Sequence, residues 1–109
     1  MRAATIFFKG EEAGILTQQD NGSYSFQYHN SWVDDSHKPA ISLTLPKTAT
    51  AYHSPYLFPF FYNMLPEGSN KQVVCQLNRI DNDDYFGLLL TIAQYDTIGA
   101  VTVRKINNP

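Results

Sequence analysis

The chain carries a single cysteine, Cys75, in 109 residues, so no disulfide can form within it and a reducing compartment suits it. Charge is also scarce. Asp, Glu, Lys and Arg make up 17% of the residues and the net charge is −2. The eight basic residues are scattered, which leaves no footprint for direct nucleic-acid binding. No apolar run approaches the length of a membrane span. The opening Met1 to Lys9 is too poor in apolar residues for a secretory signal. A cytoplasmic protein without membrane contact is expected. There is no repeat, linker or low-complexity segment, and residues 1–109 suit one domain with a modest core.

Groups that carry chemistry are equally thin. His29, His37, His53 and Cys75 are the soft-ligand candidates, and their spacing matches no metal motif. Surface or satisfied histidines and a small buried thiol are the ordinary reading. Gly10 to Gly14 lacks the Lys and Ser/Thr of a phosphate loop and reads as a hairpin. The paired carboxylates Glu11-Glu12, Asp34-Asp35 and Asp83-Asp84 fall in turns or helix caps, without the apolar surroundings that acid catalysis uses. No serine sits in a nucleophile elbow. These residues give no catalytic site, no metal site, no cofactor and no small-molecule substrate, and a non-enzymatic domain is expected.

What the chain has in quantity is aromatic side chains: seven Tyr, seven Phe and one Trp. Residue types of this kind are enriched at interfaces. They crowd into Ser54 to Gly68, punctuated by Pro55, Pro59 and Pro66. A short helix is predicted there, beginning near Pro55 or at Pro59, because proline suits a first turn. Pro66 and Gly68 are expected to stop it. On a helix Leu57, Phe60, Phe61 and Met64 form one apolar stripe, and Phe58, Tyr62 and Leu65 form a second. Either the helix is wrapped on both sides by its own domain, or the second stripe meets a partner protein.

Elsewhere the pattern is mainly β. Strands are predicted at Ala4–Phe8, at Ala13–Gln19 and at Tyr24–Tyr28, where Tyr24, Phe26 and Tyr28 alternate with polar residues. The turns between them fall at Gly10-Glu11 or Glu11-Glu12, and at Asn21-Gly22, a tight hairpin signal. Asn30 to Pro39 reads as a loop with Trp32 as a lid on a sheet edge. Ala40–Leu45 alternates and reads as a fourth strand, followed by an exposed loop from Lys47 to His53. A second helix capped by Ser69 or Asn70 is expected to reach Ile80, with Val73, Val74, Leu77 and Ile80 on one face. A third, capped by Asp83 or Asp84, has Phe86, Leu89, Leu90 and Ala93 towards the core. A last strand starts at Gly99, with Val101 and Val103 facing one way, before a tail from Lys105 to Pro109 that frays. Strands gathered first and helices later predict an α+β fold: a mainly antiparallel sheet with about three short helices.

Four stretches resemble one family. Phe60-Phe61-Tyr62-Asn63-Met64-Leu65-Pro66-Glu67-Gly68 is similar to the Phe-Phe-x-Asn-Leu-Leu-Pro-Glu-Gly segment in the N-terminal subdomain of HipA-type kinase toxins. Asp96-Thr97-Ile98-Gly99-Ala100-Val101 resembles that subdomain's Asp-x-x-Gly-Ala-Val ending. Gly10-x-x-x-Gly14-Ile15-Leu16 resembles its opening hairpin, and Ile41 to Pro46 its Leu-Ser-Leu-Pro strand. Order and spacing agree over nearly the whole chain. Two positions depart: Tyr62 stands where many full-length relatives have an acidic residue, and Gln94 where the family tends to have glycine.

The kinases of this family continue into ATP-binding and catalytic parts that have no counterpart in these motifs. The chain also resembles the HipS family, the small separate proteins of three-part HipBST toxin–antitoxin systems. There a shortened Ser/Thr kinase, HipT, is the toxin and HipB is a helix-turn-helix DNA-binding protein. The resemblance implies an antitoxin that binds and inhibits a HipT-like kinase, with HipB a further partner and DNA contacted only through it. The alternatives are a non-inhibitory scaffold joining kinase and HipB, a subdomain excised from a full-length kinase, and an isolated small-ligand module. With the second stripe, the resemblance makes Phe58, Tyr62 and Leu65 the expected partner-binding anchors, and Asn63 and Glu67 polar contacts at their edge.

Overall fold

The computed structural model describes residues 1–92 and 100–106. A five-stranded sheet in the order β4-β3-β2-β1-β5, antiparallel at every pairing, forms one layer. Its strands are β1 (Arg2–Phe8), β2 (Glu11–Gln18), β3 (Tyr24–Tyr28), β4 (Ala51–Ser54) and β5 (Val101–Lys105). Short helices α1 (Asn30–Asp34), α2 (Pro59–Tyr62), α3 (Gly68–Asn78) and α4 (Tyr85–Ile92) complete it. This is the α+β arrangement expected from the order of patterns in the chain.

Period-two alternation builds the sheet. Ala4 and Ile6 of β1, Leu16 of β2, Phe26 of β3 and Val103 of β5 are fully buried on one face, while Thr5, Phe7, Ile15, Thr17 and Ser25 on the other are half-buried. Between β1 and β2 the register slips at Ile6/Phe7, so Ala13 is an extra residue in β2 and is buried beside Gly14. Gly14 has a steric reason: a Cβ there would lie 2.4 Å from the Gln27 carbonyl oxygen and 3.0 Å from the Phe26 ring. Phe86 and Leu89 of α4 and Phe61 of α2 close the core over the sheet, Phe61 with its ring centroid 6.0 Å from that of Phe26.

Several local expectations are corrected. The β1–β2 turn is Lys9-Gly10, earlier than Gly10-Glu11 or Glu11-Glu12, and both residues have positive φ. In the β2–β3 loop only Gly22 has positive φ, not Asn21. The amide of Gly22 donates to the Gln19 carbonyl at 3.0 Å, so a three-residue loop with a left-handed glycine replaces the two-residue turn. Within Asn30 to Pro39 the first residues form α1, because Trp32 and Val33 amides both bond back to the His29 carbonyl. Trp32 does cover the sheet, edge-on to Phe8 at 5.9 Å, and its indole N–H donates to the Pro39 carbonyl at 2.8 Å.

Ala40–Leu45 is not a strand. Ile41 and Leu45 are buried, whereas Leu43 is fully exposed at the tip of a turn. The buried hydroxyl of Tyr28 organises this segment, accepting from the Ile41 amide at 3.0 Å and donating to the Leu45 carbonyl. Alternation here comes from two anchors and a projecting tip rather than from a pleat. The edge strand is instead β4, which overlaps the end of the stretch from Lys47 to His53 expected as an exposed loop; it pairs through Phe26↔Tyr52 and Ser25↔His53.

Helix details also move. α2 starts at Pro59, the second of the two predicted starts, and ends at Tyr62, before Pro66. Gly68 does not stop it but opens α3. Neither Ser69 nor Asn70 caps α3; Glu67 occupies the N-cap without a side-chain bond. α3 ends at Asn78, with Arg79 as its C-cap in the left-handed region at φ 55° and the Ile80 amide returning to the Cys75 carbonyl. Its expected core face is split: Val73 and Leu77 are exposed, Val74 and Ile80 are half-buried, and Cys75 is the buried residue of the helix. α4 is capped by Asp84, whose Oδ1 accepts from the Gly87 amide at 3.0 Å. Phe86 and Leu89 face the core as expected, Leu88 is buried with them and Leu90 is half-buried. Val101 and Val103 share the buried face of β5. Ala93, Gln94, Asp96 to Gly99 and the last three tail residues lie outside the described residues.

Candidate partner-binding site

The aromatic stretch reaches the surface at the end of α2. Pro59 sets the first turn, and the amides of Phe61 and Tyr62 both return to the Phe58 carbonyl at 2.9 Å. In so short a helix successive side chains point in very different directions. Phe61 goes fully into the core, where its ring meets those of Phe60 at 5.2 Å and Phe58 at 6.4 Å. Tyr62, the next residue, stays 47% exposed.

The expected anchors therefore separate. Tyr62 stands out, Leu65 is half-buried, and Asn63 and Glu67 are exposed. Phe58 is not on the surface but in the core, and supports α2 from within. Tyr62, Leu65 and Glu67 come together around an open cleft of about 200 Å³, whose wall also includes Pro66, Lys71 and Tyr85. Asn63 does not line it. The rings of Tyr62 and Tyr85 meet edge to face at 5.7 Å, and the ammonium of Lys71 lies 5.0 Å from the Tyr85 ring centroid. Tyr85 and Lys71 were not singled out in the sequence. Tyr85 opens α4, and only the packing of α4 against α2 brings it to Tyr62.

A second cleft, of about 440 Å³, lies beyond the same tyrosine pair and extends past Tyr56 to the β2–β3 hairpin. A polar network secures its base. Arg2 donates from Nε to Gln18 Oε1 at 2.8 Å and from its two terminal nitrogens to Asp84 at 2.6 and 3.1 Å. Its guanidinium lies 5.1 Å from the Phe86 ring centroid. Gln18 Nε2 donates to the Tyr24 hydroxyl at 3.2 Å. The bond from Arg2, more than the opposing burial, holds the Asp84 carboxyl below the usual carboxylate range, and the Gly87 amide adds to this. Burial raises the Tyr24 hydroxyl above the ordinary phenol value. The network joins the first strand to the start of α4.

Among the described residues no group of three or more His, Cys, Asp and Glu is arranged to hold a metal ion, and no helix is long and apolar enough to cross a membrane. The surface here offers the exposed rings of Tyr56 and Tyr62 beside two open clefts.

Comparison with known proteins agrees with this architecture. The family described as HipA N-terminal domain matches residues 4–104. An uncharacterized protein of Haemophilus influenzae is 31% identical over 105 residues, covering 96% of this chain and 93% of that protein. Putative kinase Y4mE of Sinorhizobium fredii is 32% identical over 89 residues, 82% of this chain but 21% of the kinase. A second putative kinase of that organism, Y4dM, is 32% identical over 101 residues, 87% of this chain and 24% of its own length. The chain thus spans most of the Haemophilus relative and about a quarter or less of the putative kinases. Among solved structures, an N-terminal domain of HipA toxin superposes with a TM-score of 0.72 at 28% identity, covering 100% of this chain and 96% of that one. By a match running from the first strand to the last, and by a shared fold, the chain belongs to the HipA N-terminal domain family.

Proposed function

We propose that this protein is an antitoxin that binds a HipT- or HipA-like Ser/Thr kinase toxin non-covalently and suppresses it, within a three-part HipBST-type system. The observation that carries the reading is the match, over the whole chain, to the N-terminal domain of a HipA toxin. In the putative kinases the matching stretch is a minor part of a much longer protein. The Haemophilus influenzae relative, 93% of which is covered, is by contrast little longer than this domain. Tyr62 supplies the aromatic anchor, Leu65 its apolar support, and Asn63 and Glu67 the polar rim, because exposed aromatic groups commonly dominate interface energy. Phe58 acts from the core by holding α2 in place. The role is binding rather than catalysis. The setting is cytoplasmic, and DNA is contacted only through a HipB-like helix-turn-helix protein.

The test is co-expression with a HipT-like kinase from the same genome, with growth and kinase activity both measured. Restored growth together with lost kinase activity is the expected result. A stable complex that leaves toxicity intact would replace inhibition with a scaffold role. Absence of any complex would sink both.

A further inference from the structure

The larger cleft contains a combination that aromatic anchoring by Tyr62 does not use. Its lining includes Tyr24, Tyr56, Leu57, Tyr62, Tyr85 and the acidic residue Asp83. Tyr56 is 78% exposed, so its ring is available to a ligand. Asp83 is exposed and has no ion-pair partner among the described residues. The cations near the cleft are already engaged, Arg2 with Asp84 and Gln18 and Lys71 over the Tyr85 ring. The exposed rings of Tyr56 and Tyr62 and a negative charge without an ion-pair partner therefore share one concavity.

That lining is complementary to a cationic side chain. Ring faces attract a cation through their quadrupole, and the carboxylate pairs with its charge. A guanidinium fits better than an ammonium, because it is planar, stacks on rings and forks onto a carboxylate. The molecule uses the same combination internally, where Arg2 lies over Phe86 while bonding to Asp84. An anionic ligand would meet Asp83 head-on, and a neutral apolar one would leave it desolvated and unpaired.

We propose that this cleft is a docking pocket for an arginine side chain presented by the partner protein, its guanidinium lying against the tyrosine rings and paired with Asp83. This rests on the reading that the face docks on another protein, and it adds what that protein presents.

The test is an NMR titration of the folded chain with acetyl-Ala-Arg-Ala-amide, and with the same peptide carrying citrulline, which keeps the shape and loses the charge. Saturable shifts centred on Tyr56, Tyr62, Asp83 and Tyr85 are expected with the arginine peptide, and binding weaker by roughly tenfold with citrulline. Asp83→Asn and Tyr56→Ser should each weaken the arginine response. Both positions are exposed, so an unchanged melting temperature shows that the fold survives. No saturable shift, equal response to the two peptides, or an unaltered response in Asp83→Asn would overturn the proposal. Kinase binding separates the two readings. If arginine binding persists while no HipA-like kinase is bound, the pocket stands and the antitoxin reading falls. If wild type and Asp83→Asn bind the kinase equally, the pocket falls and the antitoxin reading stands.

Discussion

In the sheet, Ala4, Ile6, Leu16, Phe26 and Val103 are all fully buried, whereas between Tyr56 and Leu77 large apolar or aromatic side chains stand in solvent: Tyr56, Tyr62, Val73 and Leu77. Met1 and Leu43 are the other exposed large hydrophobic residues among those described. Both regions are rich in apolar residues, and they use them differently. A sheet has two faces, and alternation decides which side chain goes to which, so its apolar residues are committed to the core once the strands pair. α2 and α3 bury a few positions, chiefly Phe61 and Cys75 with Phe58 at the cap and Phe60 half-buried against the core, and leave Tyr62, Val73 and Leu77 outward. Apolar composition alone does not separate a core from an exposed face; the number of faces already covered does.

The sharpest way to break the contrast is within α2, where neighbours fall on opposite sides of it. Phe61→Ala should destabilise the fold by ~3–5 kcal/mol, as for a fully buried aromatic, measured by denaturant unfolding. A loss under ~1 kcal/mol would mean that α2 is not part of the core. Tyr62→Ala should do the reverse, weakening kinase binding by roughly 1–3 kcal/mol while costing about 0.5–1.5 kcal/mol of stability through the lost contact with Tyr85. Calorimetry of the complex and melting of the free chain separate the two effects, and unchanged affinity in a folded variant would remove Tyr62 from the site.

The sheet side is sharpened through its polar tie to α4. The Asp84 carboxyl titrates lower in the folded chain than its ordinary value, chiefly because Arg2 bonds to it. A lowered folded value means that the contribution is present above the unfolded value and is lost as pH falls through the folded one. The stability advantage of wild type over Asp84→Asn should therefore shrink as pH is lowered from about 5 to about 2. A constant difference over that range would show that the ionised carboxylate adds nothing to stability through either Arg2 or the Gly87 amide. The smallest effect is expected at the outward face of α3. Leu77→Gln should change folding stability by no more than ~0.5 kcal/mol, because the side chain is exposed. A larger loss in thermal melts would mean that this face is covered in the free protein.

Much of the sheet was legible beforehand. Alternation at Tyr24, Phe26 and Tyr28 and the glycine-bearing turn before them define β3 correctly, and β1, β2 and β5 fall close to their expected places. The same rule failed at Ile41, Leu43 and Leu45. There a buried tyrosine hydroxyl fixes two ends of a turn, and a period of two appears without any strand partner. β4 was missed for the complementary reason. Ala51 to Ser54 has little apolar signal of its own, and as an edge strand it takes its conformation from the backbone of β3.

The site divides along the same line. Tyr62, Asn63, Leu65 and Glu67 were within reach of the sequence, because they sit in one aromatic, proline-bounded stretch. The partners that shape the surface around them were not. Tyr85, Lys71, Tyr56 and Asp83 are drawn from separate segments and meet only when α4 packs beside α2. Phe58 was assigned outward by helical spacing, yet it lies at the N-cap of α2, where the chain is still extended and the ring turns inward. The amino-acid sequence by itself determined the class of fold and the presence of surplus aromatic residues, because period and composition are local properties. Which faces remained open was decided by tertiary structure, because burial depends on what arrives from elsewhere in the chain, and only the assembled core settles where α3 and the end of α2 run out of neighbours.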